Sequence, residues 1–139
     1  MATAPADHPV AVTDEGAIRT LTVQRPEKLN ALNAATLQAL AEAFSAAAAA
    51  PEVRVVVLTG AGPKAFVAGA DIAEMNTLSA VQGRDFSLLG QALMRRIEPM
   101  PKPVIARINE TGRAYVCTPV TIISRLPPST RTITHHCVR

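Results

Sequence analysis

The residues best placed to do chemistry stand in the run Lys64-Ala65-Phe66-Val67-Ala68-Gly69-Ala70-Asp71-Ile72-Ala73-Glu74-Met75. Gly69 tolerates a sharp bend, and Asp71 is a good N-cap, whose side-chain oxygen can accept from the orphan N–H groups of a helix opening at Ile72. Between them the N–H of Ala70 is left to point outward, beside the positive end of that helix. Such a donor suits a developing negative oxygen and is what an oxyanion hole requires. The run is expected to contain a strand, a tight turn and a helix start. Asp71 reads as the helix cap before it reads as a catalytic group.

Two further stretches flank this one: Arg25-Pro26-Glu27-Lys28-Leu29-Asn30-Ala31-Leu32-Asn33 before it and Pro101-Lys102-Pro103-Val104-Ile105-Ala106-Arg107-Ile108-Asn109 after it. In this order and spacing the three stretches resemble the enoyl-CoA hydratase/isomerase (crotonase) superfamily, with enoyl-CoA hydratases the nearest group. The resemblance covers about residues 10–109 and ends there.

The resemblance implies a crotonase-like α/β fold, with a parallel βαβ sheet and flanking helices. It implies a coenzyme A thioester as substrate, with no separate cofactor and no metal. Lys28, Leu29 and Ala31 match the family loop that lies along the pantetheine and nucleotide; Ala68, Ala70, Asp71 and Ile72 match the backbone-rich segment beside the adenine, with Gly69 counted among the residues expected to bind coenzyme A. Ala70 matches one of the two backbone N–H donors that stabilise the enolate-like charge when water adds across a conjugated double bond. The second donor belongs to a glycine run after the Pro-Val-Ile-Ala strand, followed by the catalytic glutamates. After Asn109 this chain reads Glu110-Thr111-Gly112-Arg113-Ala114-Tyr115, which matches neither, and Glu110 stands too early to substitute. Ala73 stands where many relatives carry a lysine, a departure that removes one favourable contact to the nucleotide phosphates. Full-length members are expected to form trimers or hexamers.

Composition agrees with a globular chain: of 139 residues, 48% are apolar and 18% charged. The pI near 9.3 suggests nucleic acid until the charges are located. Residues 1–109 hold ten Lys/Arg and ten Asp/Glu, while residues 110–139 hold four Arg and one Glu. The last 30 residues also hold Cys117, Cys137, Tyr115, His135, His136 and eight Ser/Thr, against ten Ser/Thr in the preceding 109. This shift reads as a frameshift or altered end of the gene. The domain expectation is therefore an N-terminal arm over 1–9, the N-terminal part of a crotonase-like domain over 10–109, and an unrelated, disordered tail over 110–139. Cys117, His135, His136 and Cys137 match no standard zinc spacing. No basic stripe with aromatic platforms supports nucleic-acid binding, and no stretch is apolar and long enough for a membrane span. With no signal peptide pattern and no cysteine before residue 110, the expected location is the cytoplasm.

The elements that must position the site follow from local pattern. Val10 to Thr13 and Ala17 to Gln24 are β-prone runs joined by Asp14-Glu15-Gly16, a hairpin turn. Asn33 predicts a helix to about Ala50, with Leu37, Leu40, Ala41, Phe44 and Ala48 as its apolar stripe. Val53 to Leu58 and Val104 to Ile108 read as strands covered on both faces of a parallel sheet. Ser79 predicts a helix to about Glu98, with Phe86, Leu89, Gly90, Leu93 and Ile97 on one face and Arg95 and Arg96 serving the helix dipole. Gly60-Ala61-Gly62-Pro63 fits no phosphate-loop spacing and reads as a turn.

The implied activity is hydration of 2-enoyl-CoA to 3-hydroxyacyl-CoA by the parent, with this truncated chain expected to be inactive. Isomerase, dehalogenase or decarboxylase relatives share the same residues. The alternative from another class is a non-catalytic acyl-CoA-binding or subunit-interacting fragment.

Overall fold

A computed structural model of the chain describes residues 8–108. The expected tail, and most of the expected arm, lie outside the described residues.

Two antiparallel strands open the fold, β1 (Val10–Glu15) and β2 (Ile18–Val23), paired from Val10↔Val23 to Glu15↔Ile18. The loop between them is Gly16-Ala17, one step later than expected. Asp14 stays in the ladder opposite Arg19, whose Nε and Nη2 donate to its carboxylate at 2.8 and 2.7 Å. Gly16 takes the positive φ of the turn, +58°.

Asn33 caps helix α1 (Ala34–Ala49), its Oδ1 accepting from the Thr36 N–H at 2.9 Å. Leu37, Leu40 and Phe44 are buried as the periodicity requires, but the stripe continues through Ala47 and leaves Ala48 exposed. Ala47 stands two turns beyond Leu40 and three beyond Thr36, on the centre line of the buried face. Ala48 lies about 100° round from that line.

Strand β3 (Val55–Gly60) runs parallel to β2, and β4 (Val104–Arg107) runs parallel to β3, giving the sheet order β1-β2-β3-β4. β3 begins two residues later than the apolar run suggests. Arg54 and Val55 both donate to the Ala17 carbonyl, at 2.8 and 3.2 Å, so the regular ladder starts only at the Ile18↔Val55 pair. Helix α2 (Ile72–Met75) is a single turn, and α3 (Ala80–Ile97) follows. Ser79 and Gln82 close a capping box on α3, each side chain accepting from the other's backbone N–H.

One sheet face carries Val10, Leu21, Val23 and Val56, each no more than 1% exposed, and packs with Phe44, Leu40 and Ala47 of α1. Burying side chains of this size stabilises by about 1.5–3 kcal/mol each. α3 lies against α1, with Leu93 buried and Phe86, Leu89 and Ile97 partly so. Among the described residues the strands are covered on one face only, although their pattern suits cover on both. The opposite face carries Ile18, Val55, Val57 and Ile105; Ile18 is 44% and Ile105 49% exposed. Among the described residues β4 is an edge strand, and Ile108 lies beyond its end with 56% exposure.

Lys102 contributes a tether that no local pattern signals. Its Nζ donates to the Ala47 carbonyl at 2.6 Å and also to the Ala50 carbonyl, so a cation closes the last turn of α1. Lys102→Met is expected to cost about 1 kcal/mol. A urea midpoint that does not move would show these contacts to be idle.

Candidate functional site

The loop after β2 and the loop after β3 meet residue against residue. Pro26–Lys28 form one 3₁₀ turn, after which Leu29 and Asn30 take positive φ values of 53° and 57°. Two consecutive non-glycine residues in this region are strained, and here their surroundings fix them. Asn30 is fully buried: its Oδ1 accepts from the Arg25 N–H at 3.0 Å, and its Nδ2 donates to the carbonyls of Ala61 and Ala65 at 2.9 Å each. Gly60 lets the second loop close down on this anchor. A Cβ there would collide with the Phe66 carbonyl and stand 2.5 Å from Asn30 Nδ2.

From that anchor the two loops run side by side. The Ala68 N–H donates to the Leu29 carbonyl at 3.1 Å, the Leu32 N–H to the Gly69 carbonyl at 2.8 Å, and the Asp71 N–H to the Leu32 carbonyl at 2.8 Å. The only ladder contact in the run from Lys64 to Met75 is the isolated parallel bridge Leu32↔Ala70, so the expected strand reduces to a single pair. Pairing stops there because Gly69, at φ +114°, turns the chain and Asp71 begins a helix.

This bridge decides where the Ala70 N–H points. In a planar trans peptide the C=O and N–H point in opposite directions. Because the Gly69 carbonyl is held by Leu32, the N–H of the same peptide, that of Ala70, is aimed away from Leu32. Accepting at its carbonyl also polarises that peptide and makes the N–H a better donor. Ala70 is exposed, and among the described residues no hydrogen bond uses its N–H. It borders an open groove of ≈ 580 Å³ whose walls include Leu32, Leu37, Met75, Phe86 and Met94, with Arg95 at its margin. A smaller hollow of ≈ 270 Å³, under Pro26, Asn30, Ala61 and Pro63, shares no lining residue with it.

The expected site residues are thereby brought together, with different parts to play. Lys28, Leu29 and Ile72 are exposed and stand free for contact, Ile72 at 71%. Ala68 and Asp71 are already committed as backbone donors to Leu29 and Leu32, and the Ala31 carbonyl accepts from Arg25. Among the described residues the N–H groups of Gly69, Ala70 and Ile72 carry no hydrogen bond, and of these Ala70 is the one that the lock on the Gly69 carbonyl aims away from Leu32. Asp71 is 7% exposed and does cap α2, accepting the Glu74 N–H at 3.3 Å. It also accepts from Arg25 Nη2 at 2.9 Å, an ion pair 46 residues apart in sequence that no local reading could find. Glu74 reaches back to the N-terminus of α1, accepting from the Ala34 N–H at 3.1 Å. Arg96, at the end of α3, donates to Ser45 Oγ and to the Ala41 carbonyl, which ties α3 to α1 in addition to any dipole effect. Cys117, His135, His136 and Cys137 lie outside the described residues, as does Glu110. No helix among the described residues is long and apolar enough to cross a membrane.

The hydrogen bond from Arg25, followed by that from the Glu74 N–H, holds the Asp71 carboxyl below its ordinary range. A depressed carboxyl contributes stability above its unfolded value, about 3.9, and loses it as pH falls through the folded value. Asp14 behaves likewise through the side-chain hydrogen bond from Arg19. Acid destabilisation is thus expected to set in below about pH 4. Asp71→Asn should flatten one component of it, leaving that of Asp14. Urea midpoints measured from neutral pH downward check this; equal acid sensitivity in the variant would contradict it.

The α/β chain thus sets an exposed backbone N–H at a glycine turn beside an open groove with apolar walls. The sequence matches the family model for Enoyl-CoA hydratase/isomerase over residues 13–115, and the chain belongs to that family. The match runs past Asn109, where the resemblance was expected to end, to Tyr115. The short-chain-enoyl-CoA hydratase of Clostridium acetobutylicum and the crotonyl-CoA hydratase of Syntrophomonas wolfei are each 45% identical over 100 residues, which is 72% of this chain and 38% of theirs. A crystal structure of an enoyl-CoA hydratase/carnithine racemase from Magnetospirillum magneticum superposes with a TM-score of 0.69 at 42% identity, covering 73% of this chain and 39% of that one. The fold is thus the crotonase fold in part, and the chain spans well under half the length of the relatives it matches.

Proposed function

We propose that this chain supplies the N-terminal part of an enoyl-CoA hydratase site, whose whole hydrates 2-enoyl-CoA to 3-hydroxyacyl-CoA. The observation that carries the reading is the Ala70 N–H, without a hydrogen bond among the described residues, exposed and aimed away from Leu32 by the lock on the Gly69 carbonyl. In this reading Ala70 is one of two donors to the thioester oxygen. The exposed backbone around Lys28, Leu29 and Ala31 and the turn from Ala68 through Gly69 and Asp71 to Ile72 flank the coenzyme A portion. The substrate is the coenzyme A thioester, no further cofactor is needed, and the cysteine-free body suits the cytoplasm. Assembly into trimers or hexamers, as expected for full-length members, belongs to the same reading.

Half a cleft makes contacts without enclosing its ligand, and exposed phosphate contacts are screened by salt. Calorimetry with acetoacetyl-CoA is therefore expected to give a Kd weaker than about 1 µM. Gly69→Val should weaken it at least about tenfold, because no β-branched residue sits comfortably at φ +114° while nothing else crowds that position. Submicromolar affinity that ignores this substitution would place the site elsewhere. A second reading, a non-catalytic acyl-CoA-binding or subunit-interacting fragment, is favoured by one observation: the exposed apolar sheet face bearing Ile18 and Ile105.

A further inference from the structure

We propose that Arg25 is a positioning residue of this site, a single guanidinium that sets the direction of the Ala70 N–H by holding the two loops in register. The inference rests on the reading of Ala70 as an oxyanion donor. Arg25 Nη1 donates to the Ala31 carbonyl at 2.6 Å, and Nη2 donates to Asp71 Oδ2 at 2.9 Å. Its backbone N–H donates to Asn30 Oδ1 at 3.0 Å. Ala31 and Asp71 each adjoin a partner of the Leu32↔Ala70 bridge, so one planar group spans both rails where the free donor is presented.

The need for such a clamp follows from Gly69. At φ +114°, with nothing within 4 Å of where its Cβ would be, that residue does not itself restrict the Gly69–Ala70 peptide. The peptide is aimed instead by the Leu32 N–H on the Gly69 carbonyl and by the Asp71 N–H on the Leu32 carbonyl. Both bonds require Leu32 and Asp71 to keep their spacing, and that spacing is what the two arms of Arg25 bridge. The same carboxylate receives the Glu74 N–H, so Arg25 also fixes where α2 begins. The side chain of Arg25 is only 16% exposed and that of Asp71 9%, which leaves the guanidinium little surface to offer a phosphate. Asp71 has no other ion-pair partner among the described residues. A lysine could keep the charge, but its ammonium lacks the rigid fork that reaches both acceptors at once.

The test compares the affinities of acetoacetyl-CoA and of coenzyme A alone, by calorimetry, for the full chain and for Arg25→Lys, Arg25→Met and Arg19→Met. Circular dichroism at the same temperature reports which variants are folded. The ratio of the two affinities reads the donor to the acyl oxygen and is insensitive to a general loss of stability. The unaltered chain is expected to prefer acetoacetyl-CoA about tenfold, the effect of one good hydrogen bond. Arg25→Lys should stay folded yet fall below about threefold, while Arg19→Met, which removes the pairs with Asp14 and Glu52 and touches neither loop of the site, keeps the full preference. If Arg25→Met does not fold, the lysine variant decides. A folded Arg25→Lys with the preference intact overturns the proposal and leaves Ala70 standing as the donor. No preference in the unaltered chain overturns the Ala70 reading, and the role of Arg25 with it.

Discussion

Crotonyl-CoA is expected to be turned over by these 139 residues at less than about 1% of the rate of a full-length relative, because removing one oxyanion donor costs on the order of 100- to 1000-fold. In the proposed reading Ala70 is the one donor to the thioester oxygen among the described residues. The second donor and the acid/base glutamates find no match in the sequence after Asn109. Without a group to activate water and one to deliver a proton to carbon, stabilising the enolate oxygen still leaves both proton transfers uncatalysed. A rate within about tenfold of a full-length enzyme would contradict this assignment of roles, since that gap is less than 1.4 kcal/mol in barrier.

The largest effect on stability is expected at Asn30. Its side chain links the Arg25 N–H to the carbonyls of Ala61 and Ala65, and it is wholly shielded from water. Asn30→Ala removes one acceptor and two donor bonds while asking alanine to keep φ at 57°. Losing buried bonds of this kind costs about 1–3 kcal/mol each where the partner is left unsatisfied, and the left-handed backbone adds about 1 kcal/mol. We expect a loss of at least about 3 kcal/mol, which for a body of this size lowers Tm by more than about 10 °C. Asn30→Asp should do no better, because it faces two carbonyl oxygens with a third oxygen. Thermal unfolding checks both; a loss below about 1 kcal/mol for Asn30→Ala would mean that water replaces the amide.

What the sequence makes legible is what short-range chemistry dictates. Asn33, Asp71 and Ser79 are caps because a side-chain oxygen three residues from an orphan N–H is a local affair. Gly69 marks the turn because few other residues accept its φ. The order of strands and helices follows from periodicity, and the three motifs carry the family. The errors arise where a partner distant in sequence decides. The start of β3 depends on the carbonyl of Ala17, which accepts from both Arg54 and Val55. The polar anchor of the site was missed for the same reason: Arg25 and Asp71 stand 46 positions apart, and Asn30 reaches over 30 positions to Ala61 and Ala65. Each was legible only as part of a motif. β-branched runs report a strand's capacity to be covered on both faces, and among the described residues only one face meets a helix.

The most direct test of the account is to follow backbone amides by ¹⁵N-resolved NMR while acetoacetyl-CoA is added to the chain. The account predicts that the Ala70 amide shifts most, as an N–H that gains an acceptor does, with smaller changes at residues 28–31 and 68–72. An unmoved Ala70 amide, with changes gathered instead at the hollow lined by Pro26 and residues 61–65, would contradict it.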